Sequence, residues 1–275
     1  MKNEEIKGEL SVSESGKGGK KKKIRLFDKI LTVVLAAVIV FCLVNIVLIL
    51  TRYNKANNVY ADMQSKYLVP INGSDNSPNH GAPGVGAGSG AFAIDFDALQ
   101  AYNSDIVGWI YSENTPISYP VAQTSDKDYY VRRSLDREYL ITGTIFADCR
   151  CDGVGGNSNY IIYGHHMRNG TIFGSLEKYV TQEYYEEHPT LEYYTPDKSY
   201  VIDVYAGYVT DTKSEFFNPD FDKGERAKLL KKAKEKSDFV SSVEIDEDDT
   251  IMTLVTCSYQ FNDARFLLIG KVREK

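Results

Sequence analysis

Histidine is scarce in this chain, with four in 275 residues, at positions 80, 165, 166 and 188, and the chain carries only four cysteines and one tryptophan. These residues show no structural zinc spacing, so the sequence implies no metal. Charge is missing altogether from Ile30 to Leu50, 21 residues reading ILTVVLAAVIVFCLVNIVLIL. At about 1.5 Å per helical residue this run spans a hydrocarbon core of about 30 Å. A cleaved signal peptide and a buried core helix are the competing readings. The run is longer than a signal h-region and lacks a small-x-small cleavage site after it, which favours an uncleaved membrane anchor. Lys20 to Lys23, Arg25 and Lys29 precede it, while Arg52 and Lys55 follow. The positive-inside rule then puts the N-terminus in the cytoplasm. The lysine run has no interleaved aromatics, so it reads as a topology signal that meets anionic headgroups, with no nucleic acid as partner.

What is present fits a folded protein: 43% apolar, 12% aromatic and 25% charged residues. Residues 1–29 hold nine Lys/Arg against five Asp/Glu, whereas the remainder holds 23 against 33, so the two parts belong to different surroundings. Arg52 to Leu68 can continue as a short helix. Pro70 to Gly90, PINGSDNSPNHGAPGVGAGSG, buries too little apolar surface to offset its ordering entropy and reads as a flexible tether, with His80 solvated in it. The expected partition is a basic cytoplasmic tail (1–29), a transmembrane helix (30–50), an extracytoplasmic stalk and linker (51–91) and a folded domain (92–275).

Within that domain Asp95 to Tyr102 reads as a short helix with Phe96, Leu99 and Tyr102 on one face. Trp109-Ile110, Ile117 to Val121, Thr144 to Phe146, Tyr160 to Tyr163 and Tyr200 to Val209 read as strands. Short strands between turn signals imply a mostly β barrel or sandwich with peripheral helices. Phe173, Leu176 and Tyr179 share a helical face. Thr181 to His188 forms a further helix that Pro189 ends, making His188 a helix-terminal residue. Asp222 to Phe239 is predicted as a helix with an Asp N-cap, Glu225 three residues on, and Ala227, Leu230 and Ala233 inward.

The chemistry concentrates in Thr253 to Gly270, TLVTCSYQFNDARFLLIG. Two apolar strands flank a loop with Asn-Asp turn chemistry, so Cys257 closes the first and Arg265 opens the second. A thiol attacks as thiolate, which a fixed cation favours, and the same cation can hold an oxyanion. A cysteine nucleophile also needs a proton donor for its leaving group, and His165-His166 sit where the strand Tyr160 to Tyr163 ends. Alternate strand residues share a face, so Tyr163 goes with His165 and Val255 with Cys257 as groove-lining residues for a substrate. The same parity sends His165 and His166 opposite ways, against a shared metal. Cys42 is an apolar filler of the membrane run. Cys149 and Cys151 are either surface thiols or a strained local bridge.

The segments Y-G-H-H-M-x-x-G-T-x-F at 163–173, T-L-x-T-C-x-Y-x-F-x-x-x-R at 253–265 and the final G-K-V resemble the class B sortases, membrane-anchored cysteine transpeptidases of Gram-positive bacteria. Upstream, DIVGWI at 105–110, YPV at 119–121, DYY at 128–130 and GTIFAD at 143–148 extend the likeness, which runs from Ile94 to Arg273. Gln260 departs from the pattern, standing where many relatives carry glutamate. The resemblance implies a closed β-barrel with an extra helix before the nucleophile's strand. It makes Cys257 the nucleophile, His165 the catalytic histidine and Arg265 the catalytic arginine, with no cofactor.

The implied reaction cleaves a sorting signal of a secreted protein through a thioester and passes the acyl group to a peptidoglycan or lipid-linked precursor amine outside the membrane. Alternatives are a pilus-assembling enzyme that uses a pilin lysine, a thiol peptidase that uses water, and a non-catalytic surface-tethered binding domain. Against the pilus reading, the sequence shows no aromatic-acidic lid segment and no second hydrophobic span at its C-terminus.

Overall fold

The computed structural model describes residues 18–70 and 92–275. The expected tether, from residue 71 to 91, and the first 17 residues of the basic tail lie outside the described residues. The chain divides into two compact units, Met1–Thr51 and Arg52–Lys275. In the first, the described residues belong to helix α1 (Gly18–Tyr67), whose stretch Phe27–Thr51 is apolar, exposed and long enough to cross a bilayer.

The second unit opens with the end of α1, then β1 (Leu68–Pro70), which pairs antiparallel with β2 (Phe92–Ile94). There follow α2 (Phe96–Tyr102), β3 (Ile106–Tyr111), β4 (Ser118–Ala122), β5 (Phe146–Ala147), β6 (Asn159–Tyr163), α3 (Gln182–Glu187), β7 (Thr190–Tyr194), β8 (Ser199–Thr210), α4 (Lys223–Lys236), β9 (Ile251–Cys257) and β10 (Arg265–Glu274). Among the described residues eight strands close in the order β10-β8-β7-β3-β4-β5-β6-β9. A barrel, not a sandwich, results, and closure leaves none of these eight strands with an open edge. Two pairings are parallel, β4 with β5 and β6 with β9; the other pairings are antiparallel.

Local sequence explains most of these elements. Asp95 caps α2 by accepting the Ala98 N–H at 2.9 Å, and Phe96 and Leu99 are its buried residues. Phe173, Leu176 and Tyr179 recur every three residues, and Gly174–Val180 is accordingly a 3₁₀-helix, whose period is three. Thr181 caps α3, and His188 closes it with its ring 4.4 Å from that of Tyr184.

Two elements differ from the sequence reading. Of the expected strand Thr144 to Phe146, only Phe146 enters a ladder, with Ala147 completing a two-residue β5. Helix α4 stops at Lys236, and Asp222 caps it through its backbone carbonyl, which accepts from Glu225 and Arg226, without a side-chain bond. Its inward residues are Arg226, Leu230 and Ala233, while Ala227 is exposed. An arginine can bury its stem and satisfy its head on backbone carbonyls. Arg226 does so on Glu247 and Asp249.

The compact unit also reaches N-terminal to Phe92. Tyr60, Met63 and Tyr67 on α1 are 5%, 4% and 2% exposed. The Tyr60 hydroxyl donates to the Gly143 carbonyl at 2.7 Å, and Gln64 donates to Ser118 at 2.8 Å. Tyr60→Phe leaves a buried carbonyl unpaired and should cost about 1–3 kcal/mol. Thermal unfolding of the full chain in detergent measures this, and an unchanged midpoint would remove Tyr60 from the fold's supports.

Candidate active site

The pairing of β9 with β10 sets Cys257 directly opposite Arg265. Directly opposed residues of an antiparallel pair carry their Cβ atoms about 5 Å apart on one face. The turn between them closes through Ser258 N–H to the Ala264 carbonyl at 2.9 Å and Ala264 N–H to Phe261 at 3.2 Å. Asp263 takes the left-handed conformation there, at φ 62, which Asp tolerates better than most residues.

On its other side β9 runs parallel to β6, with Tyr163 beside Val255. Gly164 N–H continues the ladder onto the Val255 carbonyl at 3.0 Å. Two residues beyond Tyr163 and Val255 stand His165, just past the end of β6, and Cys257, the last residue of β9. A Cβ on Gly164 would come within 2.6 Å of the Phe173 ring, so the glycine lets that buried ring lie directly under the residue before His165.

His165 is partly buried, and its Nε2 lies 2.7 Å from the Val131 carbonyl. A carbonyl only accepts, so Nε2 carries the proton and Nδ1 of the neutral ring is left as the lone-pair nitrogen. Burial holds the imidazole pKa below its ordinary 6.5; the Val131 bond opposes this, and Arg132 and Arg265 add to it. Val131 belongs to the 3₁₀-turn Tyr129–Arg132. That turn is pinned by Thr144 N–H on the Tyr130 carbonyl (3.0 Å) and by the Tyr130 hydroxyl on Asp105 (2.7 Å). Gly143, at φ +55, has no room for a Cβ against the Val131 carbonyl.

One cavity of about 130 Å³ is lined by Val131, Phe146, Tyr163, Gly164, His165, Val255, Thr256, Cys257 and Arg265. It thus brings together all five residues singled out from sequence. A neighbouring cavity of about 590 Å³ shares Val131, Phe146, Tyr163 and Arg265 and extends to Lys127, Cys149, Thr212 and Phe217. Tyr163 stacks on Phe146 at 5.4 Å, and its hydroxyl donates to Asp148 at 3.0 Å. Burial alone would raise the Asp148 pKa, but the Arg150 fork at 2.9 and 2.8 Å and the Tyr163 hydroxyl hold it below the usual carboxylate range. Burial pushes the Tyr163 phenol up, so it stays a neutral donor.

The remaining sequence candidates lie elsewhere. Cys149 and Cys151 are unbonded thiols; Cys151 is buried, and burial raises its pKa to about 11. His188 caps α3, and His80 lies outside the described residues. Sequence reasoning did not find the Val131 carbonyl, nor a contact of His166, whose Nδ1 lies 2.9 Å from the Cys257 carbonyl. The only available signal was the doublet itself, whose strand parity sends the second ring away from the first.

Residues 113–272 match the sortase domain family. The chain is 35% identical to Sortase B of Staphylococcus aureus (strain NCTC 8325 / PS 47) over 180 residues, 64% of this chain and 74% of that protein. It superposes on the structure of sortase B from B. anthracis in complex with AAEK1 with a TM-score of 0.68 at 31% identity, covering 82% of this chain and 100% of that one. A Staphylococcus aureus sortase B-substrate complex matches with a TM-score of 0.61 at 34% identity, over 65% of this chain and 84% of that one. Matching barrels, motifs and overall sequence lead to one conclusion: the chain belongs to the sortase family, with the sortase B proteins as relatives, and is a cysteine transpeptidase.

Proposed function

We propose that Cys257, His165 and Arg265 carry the transpeptidation, and that its donor is a sorting signal of a secreted protein. The observation that supports this most is their meeting in one small cavity, with Tyr163 and Val255 in its wall. Cys257 Sγ attacks the scissile carbonyl carbon, and the negative charge that develops on oxygen is met by the Arg265 guanidinium. The thiol proton passes to Nδ1 of His165 as Sγ bonds to carbon; as the C–N bond breaks, that proton goes on to the departing amine, leaving a thioester on Cys257 and a neutral ring. An incoming amine then attacks the thioester, gives its proton to His165 and expels the thiolate. The acceptor in this reading is a cell-wall or lipid-linked precursor amine.

The chain's organisation fits this use. Residues 30–50 serve as an anchor, with the basic residues 1–29 in the cytoplasm, 51–91 outside as stalk and linker, and the catalytic side chains within 92–275. The apolar stretch of α1 supports the anchor. The related sortase B whose structure holds a substrate supports a peptide donor here.

A peptide-library cleavage assay on the full chain in detergent, with and without an added amine, tests the reading. Peptides cleaved with transfer of the new acyl end to the amine are expected, and Cys257→Ala should abolish both products. Hydrolysis unaffected by the amine would argue for a peptidase. Arg265→Lys should lower kcat/KM about 100-fold, because a point charge lacks the planar fork that holds both oxyanion and substrate. Near-normal turnover would remove Arg265 from the oxyanion role.

Acid should also act on His165. Its folded pKa lies below the ordinary 6.5, so the unfolded chain binds the proton first. Stability from this group is complete above about 6.5 and is lost as pH falls towards the folded value. Unfolding midpoints of the wild type should therefore fall more steeply below pH 6.5 than those of His165→Gln. Parallel curves would contradict the burial assigned to this ring.

A further inference from the structure

The second histidine of the doublet is not used in the chemistry above, yet its ring reaches the Cys257 backbone carbonyl on the β6 side. In the parallel ladder Gly164 N–H donates to the Val255 carbonyl. Two residues further, the His166 N–H would donate to the Cys257 carbonyl if β6 continued. It does not: β6 ends at Tyr163, and His166 turns away to form an isolated antiparallel bridge with Ile172. The Cys257 carbonyl, at the last position of β9, thereby loses its ladder donor. The imidazole of the same residue takes the vacated place, with Nδ1 at 2.9 Å. Since a carbonyl accepts, that nitrogen carries the proton.

The ring is itself held. Its side chain is 9% exposed, and Nδ1 lies 3.6 Å from Oε2 of Glu177 on the 3₁₀-helix Gly174–Val180. The other Glu177 oxygen accepts the Ser258 hydroxyl at 2.6 Å. The Tyr259 ring meets the imidazole edge-on at 5.0 Å, and its hydroxyl donates to the His166 carbonyl at 3.3 Å. One carboxylate thus binds the residue after the cysteine and lies beside the ring that holds the cysteine's carbonyl.

We infer that His166 is a positioning residue: its Nδ1–H, steadied by Glu177, replaces the missing ladder bond at Cys257 and fixes the backbone from which the thiol is aimed. The inference rests on the reading of Cys257 as nucleophile. A small displacement of a reacting group costs rate more than binding, so losing this bond should appear in kcat.

Asparagine and glutamine separate this role from simple packing. An Asn amide can place its N–H where Nδ1 sits, whereas a Gln amide reaches to the position of Nε2. Full-length His166→Asn, His166→Gln and Cys257→Ala are compared on a peptide selected by the library assay. Alkylation of Cys257 by iodoacetamide, read by mass spectrometry of its tryptic peptide, supplies a measure that needs no substrate. His166→Asn should keep kcat and alkylation rate within about threefold of wild type, and His166→Gln should lose about tenfold in both, with KM within about twofold. Equal losses in the two variants, no loss in either, or the reverse order would overturn the assignment. If neither variant folds, Ser258→Ala, which frees Glu177 from the strand end, should lower kcat at unchanged KM; an unchanged kcat would overturn it. Activity surviving in Cys257→Ala would instead sink the nucleophile reading itself, a result distinct from the others.

Discussion

The site depends on the hydrogen-bonded register of β9 between two unlike neighbours. On one side the antiparallel pairing with β10 puts Arg265 opposite Cys257; on the other the parallel pairing with β6 puts Tyr163 beside Val255 and brings His165 alongside. Side chains alternate along each strand, so a slip of one residue in either ladder would turn the thiol's neighbours to the opposite face. Closure of the barrel makes such a slip costly, because it would have to propagate into the β8–β10 ladder, which runs from Arg265 to Glu274.

Around this register the structure builds with backbone carbonyls. Val131 fixes the tautomer of His165, and the Cys257 carbonyl receives the ring of His166. One lies in a 3₁₀-turn and the other at the end of β9, and at each a polar main-chain group must still be satisfied. The supports extend far along the chain: the Val131 turn packs against Gly143, whose carbonyl is held by Tyr60 on α1. Residues well outside the matched family segment of 113–272 thus contribute to the surroundings of the catalytic pocket.

The sequence carried the parts of this arrangement that repeat or punctuate. The strand-loop-strand from Ile251 to Ile269 was readable from β-branched runs on either side of an Asn-Asp turn, and strand parity placed Tyr163 and Val255 with the pocket. An apolar face marked α2, the Pro189 stop marked α3, and a spacing of three marked Gly174–Val180. Contacts between a side chain and a remote carbonyl leave no such trace. His166 and the Cys257 carbonyl are 91 residues apart, and Tyr60 and Gly143 are 83 apart, with no periodicity to announce either pairing. Ala227 was expected inward for a related reason: apolar patterning favours alanine over arginine, yet Arg226 is the buried neighbour, because carbonyls of the acidic stretch before β9 receive its head.

The central claim is that the acyl group passes through the sulfur of Cys257, among four unbonded cysteines of which Cys149 lies in the adjoining cavity. The most direct measurement is mass spectrometry of the full chain quenched in acid during turnover of a cleaved peptide, followed by proteolysis. The account predicts an adduct with the mass of the donor fragment on the peptide containing Cys257, removed by hydroxylamine as a thioester is. An adduct on the peptide containing Cys149 and Cys151, or turnover with no hydroxylamine-sensitive adduct at any time, would contradict it.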